Sequence, residues 1–344
     1  MKREPTSVTA VAHPNIALAK YWGKRTGDGN VPAVPSLSVT LAGMTTTTTV
    51  TFDEALAHDE LVLDGVTVDP SARPHVRAAT MLDRVREASR TTARARVVSA
   101  NDFPTASGLA SSASGFAALA LAASRAAGLD LAPAEVAELA RRSSASAARS
   151  VFGGFAELDG GEGATGAARQ VAPGSALDLR LVVCVTTEGA KSTSSTEGMS
   201  LTQATSPYYA AWVADAPRVH REMRAALLAG DFVKVGELAE HSALAMHACA
   251  MAAGVVYVTG ATLAALAEVR AIRAEGIPAF GTIDAGPHLK CIVRSSDLSA
   301  VKARLARVPG VLRLIEAAPG EGASVVGAPA GSPRATVARE EARP

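Results

Sequence analysis

The chain has 344 residues, 48% hydrophobic and 19% charged, enough to bury a large core and, at this length, to divide into two domains. Aromatic residues make up only 4% and the net charge is +1, so neither a base-stacking surface nor a global field for nucleic acid or anionic lipid is expected. Cys184, Cys249 and Cys291 form no C-x-x-C pair, which fits a reducing cytoplasm and argues against a four-cysteine zinc site.

The opening residues MKREPTSVTAVAHPN lack the apolar run of a secretion signal. Residues 36–53 alternate β-branched and small residues around Gly43 and predict two strands joined by a turn; 61–70 continue the pattern with Asp64-Gly65 as a hairpin signal. Periodicity then changes to that of a helix over 74–92, followed by a strand at 93–100, a Gly/Ser-rich turn at 104–112 and a long Ala/Leu helix ending near Gly128. Pro133, with Glu135 close behind, announces a second helix. Beyond a Gly-rich patch at 153–167 come a strand at 179–187 and helices near 206–228, 231–252 and 260–276. A strand–turn–strand unit at 278–294, a helix near 297–307 and a strand near 311–317 complete the order. Interleaved strands and helices around an antiparallel sheet predict an α+β fold, with domains at 1–180 and 181–328 and a disordered tail at 329–344. The uncharged stretch 248–267 has the length of a membrane span. Gly254, Thr259, Gly260 and Thr262 interrupt it, so a helix–loop–helix in a soluble core is expected.

Four segments carry chemistry. In P-T-A-S-G-L-A-S-S-A-S-G, 104–115, small residues let the backbone approach a ligand, and the following helix offers free N–H groups to an anion; a tight packing turn is the alternative. No G-K-[ST] closes this loop, so it is not a Walker A loop. Segment 13–30 places Lys20, Lys24 and Arg25 beside Tyr21 and Trp22, either a phosphate or carboxylate clamp or an exposed basic turn. Segment 140–158 sets Ser144, Ser146 and Arg149 before a Gly-Gly pair, either an anion fork or a helix end with stray hydroxyls. In 277–293 one carboxylate, Asp284, sits between apolar strands, as turn chemistry or as a tuned catalytic acid. The G-x-G-x-x-G match at 161–166 lacks a strand-to-helix context and reads as a flexible hairpin. His241 and His247, six apart, do not make a zinc motif.

Taken together, these segments resemble the diphosphomevalonate decarboxylases of the GHMP kinase superfamily. The resemblance rests on N-I-A-x-x-K-Y-W-G-K at 15–24, S-L-S-V-T-L at 36–41, the 104–115 loop and S-x-S-A-x-R-S-x-x-G-G-F at 144–155. It continues through S-S-T-x-G-M at 194–199, M-H-A at 246–248 and D-A-G-P at 284–287. It implies a two-domain fold, with a ribosomal protein S5 domain 2-like N-terminal half and a ferredoxin-like α/β sandwich C-terminal half. It also implies decarboxylation of mevalonate 5-diphosphate to isopentenyl diphosphate with ATP and Mg2+, in a cytoplasmic homodimer with no nucleic-acid or membrane partner. By the same resemblance Pro104, Ser107, Gly108, Leu109, Ala110, Ser111 and Ser112 bind ATP, with Ser112 also catalytic. Asn15, Tyr21, Lys24, Ser144, Ser146, Arg149, Ser195 and Met199 bind substrate, with Asn15 orienting Arg149. Asp284 is the catalytic carboxylate, as base or orienter, Lys24 assists, and Lys20 or Lys24 is expected to keep Asp284 ionised. Metal ligands are not assigned. The chain departs from many relatives at Val34, Pro35, Ser143, Ala145, Ala148 and His288, and has Ala253 and Gly254 in place of a Pro-Pro pair before Tyr257. A phosphomevalonate decarboxylase or a mevalonate 3-kinase is the neighbouring alternative. An inactive member that binds a phosphorylated metabolite is the alternative of another class.

Overall fold

The computed structural model describes residues 6–25, 27, 29–103, 111–189 and 193–327. The N-terminal half begins with β1 (Thr6–Ala12), β2 (Asn15–Ala19), β3 (Ser36–Ala42) and β4 (Thr46–Asp53). Although β3 and β4 flank the expected turn at Gly43, they do not pair with each other: β3 joins β2 and β8, and β4 joins β1 and β7. Alternation identifies a strand but not its partner, and the chain uses this turn to pass from one sheet to the other. In β4 every second residue from Thr46 to Phe52 is buried, as a half-covered strand requires. β5 (Glu60–Leu63) and β6 (Val66–Thr67) form the expected hairpin, with Asp64 at φ 48° and Gly65 at φ 81°. Two left-handed residues are what a type I′ turn demands.

Helix α1 (Arg73–Ser89) leads to β7 (Arg94–Asn101), then to α2 (Ser111–Ala126) and α3 (Pro133–Ser143). α2 carries no charge before Arg125 and buries Ala117, Ala118, Ala120, Ala122 and Ala123; these small side chains let it lie close on the sheet. At the start of α3, Pro133 occupies the first turn and the Glu135 carboxylate accepts the Ala132 N–H at 2.8 Å. A short α4 (Ala147–Ser150) follows. The Gly-rich patch holds a hairpin of β8 (Phe155–Leu158) and β9 (Ala168–Ala172), strands that the glycine content masks in the sequence.

β10 (Arg180–Val185) opens the second half. After it come α5 (Ser195–Thr205), α6 (Tyr209–Leu228), α7 (Phe232–Met251) and α8 (Gly260–Ala274), then β11 (Phe280–Ile283), β12 (Leu289–Val293), α9 (Leu298–Leu305), β13 (Arg313–Pro319) and β14 (Ser324–Val325). Among the described residues no helix is long and apolar enough to cross a membrane; the stretch 248–267 divides between α7, a loop and α8.

Two sheets organise these elements, in the orders β14-β1-β4-β7-β5-β6 and β11-β12-β10-β13-β3-β8-β9, with β2 added to β3. Among the described residues every strand pairing is antiparallel except β5 with β7. β13 and β14 return from the C-terminal half to pair with β3 and β1, so the second sheet runs through both halves of the chain. Helices α1–α3 cover the first sheet, while α6 and α7 pack on one face of the second and α8 and α9 on the other. The arrangement is the expected α+β class, and the ends of β2, β11, α1, α2 and α5 converge on one cleft between the halves.

Candidate active site

The cleft is a cavity of about 550 Å³. At one end stands Asp284, just beyond β11, its side chain 24% exposed. Lys20, immediately after β2 and 2% exposed, donates from Nζ to Asp284 Oδ1 at 2.6 Å and to the Ala17 carbonyl at 2.6 Å. Lys290 Nζ lies 3.2 Å from Asp284 Oδ2. Burial by itself would raise the carboxyl, but the two ammonium groups outweigh it and hold Asp284 well below the usual carboxylate range. Burial lowers Lys20 to about 8, with Asp284 opposing the shift. Lys20 is therefore the lysine that meets Asp284; Lys24 turns elsewhere and donates to Asn30 Oδ1 at 2.7 Å.

The two lysines diverge because Gly23, at φ 99°, bends the chain between them. A Cβ at Gly23 would stand 2.1 Å from Tyr209 Oη, so glycine is required there for space as well as for conformation. Lys20 is held in place by its own N–H, which donates to Ser242 Oγ on α7 at 2.9 Å, and the Trp22 carbonyl accepts the Trp212 indole N–H at 2.9 Å.

Arg149, on α4 and buried, is gripped by alternate residues of β3: its Nη1 donates to Ser36 Oγ at 2.6 Å and its Nε to Ser38 Oγ at 3.0 Å. Ser36 and Ser38 share a strand face, which is why the S-x-S spacing works. Asn15 Oδ1 accepts from Arg149 Nη2 at 3.3 Å, while Asn15 Nδ2 donates to the Ser146 carbonyl and to Ser150 Oγ at 3.0 and 2.7 Å. Asn15 thus fixes both the guanidinium and the turn that carries it. Burial lowers Arg149 to about 10, and among the described residues no carboxylate is ion-paired with it. Tyr21 Oη and Ser143 Oγ, also at the cavity wall, are buried without a hydrogen-bond partner among the described residues. Such orphaned donors fit a polar ligand.

Ser144 and Ser146 line the cavity with hydroxyls 3.4 Å apart. Ser195 and Met199 face them from α5, a helix with no sequence signal strong enough to announce it. Ser194 caps that helix by accepting the Glu197 N–H at 3.2 Å, and its carbonyl accepts the Tyr257 hydroxyl at 3.2 Å. From α7, His247 places Nε2 3.1 Å from the Asp284 carbonyl; burial, then Lys20, push it down to about 4, so it is neutral near pH 7. Ser111 and Ser112 bring the start of α2 to the cavity wall, while Pro104, Ser107, Gly108, Leu109 and Ala110 lie outside the described residues.

Two groups of lining residues escape the sequence reading. Arg73 and Arg77, one turn apart at the start of α1, join Lys24 at the second end of the cavity. Their spacing puts both on one face, but a solvated helix face has the same pattern. Arg77 donates to the Ser143 carbonyl at 2.6 Å and stacks over Phe116 at 4.4 Å; burial, then Arg73, lower it to about 10. Burial also lowers Lys24, with Arg77 and Arg73 adding to the effect. Among the described residues none of these three cations is ion-paired with a carboxylate. The other group is an apolar bay of Leu61, Leu63, Val97, Phe116 and Leu119, edged by Ser99 and Asn101. Those residues read in sequence as ordinary core.

Comparison with known proteins identifies the family. Residues 12–169 match the diphosphomevalonate decarboxylase-like N-terminal domain, and residues 181–317 match the mevalonate 5-diphosphate decarboxylase C-terminal domain. The chain is 35% identical over 300 residues to the diphosphomevalonate decarboxylase of Candida albicans, covering 82% of this chain and 83% of that one. It is 38% identical over 282 residues to the phosphomevalonate decarboxylase of Haloferax volcanii, covering 81% and 85%. Its fold is similar to that of the Staphylococcus aureus mevalonate diphosphate decarboxylase, with a TM-score of 0.88 and 33% identity over 94% of this chain and 98% of that one. A structure of MDDEF in complex with MVAPP, AMPPCP and magnesium matches with a TM-score of 0.86 and 37% identity over 94% and 99%.

Proposed function

The chain belongs to the diphosphomevalonate decarboxylase family, and from that premise we propose how its own residues perform the ATP-dependent decarboxylation of mevalonate 5-diphosphate to isopentenyl diphosphate. The observation that carries the reading is one cavity with two differently charged regions: an ionised Asp284 bracketed by cations, and Lys24, Arg73 and Arg77, which have no carboxylate ion-paired with them among the described residues.

A tertiary 3-hydroxyl is a poor leaving group until it is phosphorylated. Departure of that phosphate builds positive charge at C3, and loss of the neighbouring carboxylate as carbon dioxide quenches it. Asp284 meets the hydroxyl. Held well below the usual carboxylate range, it is a weak base and a strong acceptor, suited to orienting the O–H and taking the proton late, as the new O–P bond forms. Arg149, Tyr21, Ser144, Ser146, Lys24 and Ser195 hold the carboxylate and 5-phosphate groups of the substrate, with Met199 in the wall beside Ser195. A fork already fixed by Ser36, Ser38 and Asn15 loses little freedom on binding.

ATP enters with its phosphates at the start of α2, where Ser111 and Ser112 present hydroxyls and the helix dipole favours negative charge. The bay of Leu61, Leu63, Val97, Phe116 and Leu119 has the apolar walls that a purine needs. Among the described residues no group of three or more His, Cys, Asp or Glu side chains could hold a metal, and Asp284 is ion-paired with Lys20 and Lys290. Ser111 and Ser112, at the start of α2, would hold magnesium, which would supply positive charge to offset that of the transferring group. The resemblance supports a homodimer, and three free, buried cysteines are compatible with the cytoplasm.

The similarity to the Haloferax volcanii phosphomevalonate decarboxylase favours one second reading, turnover of the 5-monophosphate. Release of ADP and carbon dioxide, followed side by side with mevalonate, its 5-phosphate and its 5-diphosphate, decides. Both products with the diphosphate alone support the proposal, both with the monophosphate alone support the second reading, and ADP without carbon dioxide marks a 3-kinase.

A further inference from the structure

Lys290 occupies a position in β12 where an apolar side chain is the rule. Its neighbours Leu289, Cys291, Ile292 and Val293 are all buried, and Lys290 itself is 0% exposed. Strand alternation sets Lys290 and Ile292 on one face and Leu289, Cys291 and Val293 on the other; the latter three pack under α8 and α9, Ile292 under α6 and α7. An ammonium group on that inner face is costly to desolvate without an anion. The anion is Asp284, whose Oδ2 is 3.2 Å away. Asp284 lines the cavity and Lys290 does not, so Lys290 stands behind the carboxylate and out of reach of a bound ligand.

We propose that Lys290 is a positioning residue for the reaction: it anchors the second oxygen of Asp284 while Lys20 anchors the first, and so fixes the plane of the carboxylate against the reacting hydroxyl. This rests on the reading of Asp284 as the group that meets that hydroxyl. The Lys20 hydrogen bond at 2.6 Å holds one oxygen; the Lys290 ammonium, 3.2 Å from the other and without hydrogen-bond geometry to it, adds a charge attraction that opposes rotation about the Cβ–Cγ bond. The groups facing Asp284 from the surrounding elements are Lys20 at the end of β2, Lys290 on β12, Arg149 on α4 and the neutral His247 on α7. Removing Lys290 takes away one of two close cations and lets the Asp284 carboxyl titrate at higher pH.

The test compares Lys290→Met, Lys290→Gln, Asp284→Asn and the Asp284→Asn/Lys290→Met double variant, each as the full chain with its melting curve. The expected result for Lys290→Met is a loss of about tenfold or more in kcat with KM for ATP unchanged, and an acid limb of kcat/KM displaced upward in pH. Lys290→Gln, which keeps a donor without the charge, falls between Lys290→Met and the parent. In the Asp284→Asn background the Lys290→Met change costs nothing more, because the group it acts through is already gone. The proposal is overturned by parent-like kcat in both Lys290 variants, or by a loss that is equal at every pH and undiminished in the Asp284→Asn background. It also falls if neither Lys290 variant folds, since Lys290 is then a structural ion. Parent-like turnover in Asp284→Asn alone overturns instead the reading of Asp284 on which the proposal rests.

Discussion

Asp284→Asn removes a charge with almost no change in shape, so its consequences can be worked from the geometry. The carboxylate oxygens stand 2.6 Å from Lys20 Nζ and 3.2 Å from Lys290 Nζ. At an effective dielectric constant of about 20 these contacts represent gross attractions of roughly 6 and 5 kcal/mol. Desolvation offsets most of that, and removing one member of a buried ionic cluster costs about 3–5 kcal/mol. The partial exposure of Asp284 and the ability of lysine to shed its proton place the expected loss of stability near the lower end. Lys20 already titrates at about 8 with the carboxylate beside it, and without that anion it falls further. A lysine whose folded pKa lies below its unfolded value binds more protons when unfolded, so stability rises with pH between the two values, by up to about 1.4 kcal/mol per unit. In the variant this window opens below pH 8, where the parent gains nothing from Lys20. The stability gap between the two proteins therefore narrows as pH rises toward 8, as denaturant titrations at several pH values will measure. Turnover falls about 10²–10⁴-fold, equivalent to about 2.7–5.4 kcal/mol of transition-state stabilisation, with ATP binding retained. Parent-like turnover, or a gap that stays constant or widens with pH, would refute the reasoning.

Three further outcomes are expected. Because Lys20 titrates at about 8 in the free protein, kcat/KM declines above that pH as its charge is lost. Bound anions raise the Lys20 pKa, so the corresponding limb of kcat lies higher; coincident limbs, or none, count against Lys20 as the required cation. Arg149→Lys forfeits the fork that reaches Ser36, Ser38 and Asn15 together, and the loss of one or two charged hydrogen bonds lowers kcat/KM about 10²-fold; a change smaller than threefold in steady-state assays argues against the fork. Gly198→Ala places a methyl group 2.3 Å from Tyr257 Oη and 3.2 Å from the Trp22 ring, displacing the helix that carries Ser195 and Met199. It should cost about 1–3 kcal/mol in a melting experiment and raise the KM for the phosphorylated substrate; a variant unchanged in both would show that the close approach is not rigid.

The parts of this site that were legible in the sequence are those where a short motif fixes both ends of an interaction. N-I-A-x-x-K places Asn15 at the start of β2 and Lys20 just beyond its end, S-x-S puts Ser36 and Ser38 on one face, and the arginine they hold lies in a third motif. Most elements were legible too, since alternation and helix periodicity are local properties; the I′ hairpin at Asp64-Gly65 and the start of α3 at Pro133 follow from residue chemistry alone. Partner choice is not local. Nothing in 36–53 tells that β3 and β4 enter different sheets, because the partners of both strands, β2, β8 and β13 for β3 and β1 and β7 for β4, lie outside that segment. Arg73 and Arg77 were hidden for a related reason: on a helix with other basic and acidic residues, a face that lines a cleft reads like one that meets water. Lys290 left a signal that went unused, a lysine inside a five-residue strand that is otherwise apolar.

Lys20 and Lys24, four residues apart, read as one clamp in the sequence, and the structure divides them. Lys20 continues inward from β2 and spends its charge on Asp284 and the Ala17 carbonyl; Gly23 then reverses the chain, and Lys24 joins Arg73 and Arg77. The two lysines consequently feel opposite surroundings. Asp284 sustains the charge on Lys20, whereas Lys24 is crowded by like charges as well as by burial. A cluster of cations that lack a carboxylate partner is held together by packing against its own repulsion, and only a polyanion relieves that repulsion. A chain with net charge +1 can therefore keep polymeric anions at a distance and still bind small, highly charged ones, because the field that matters is confined to a cleft with low-dielectric walls. On the proposed reading, Lys24, Arg73 and Arg77 can change affinity for the substrate's phosphates without disturbing the carboxylate that Lys20 and Lys290 flank.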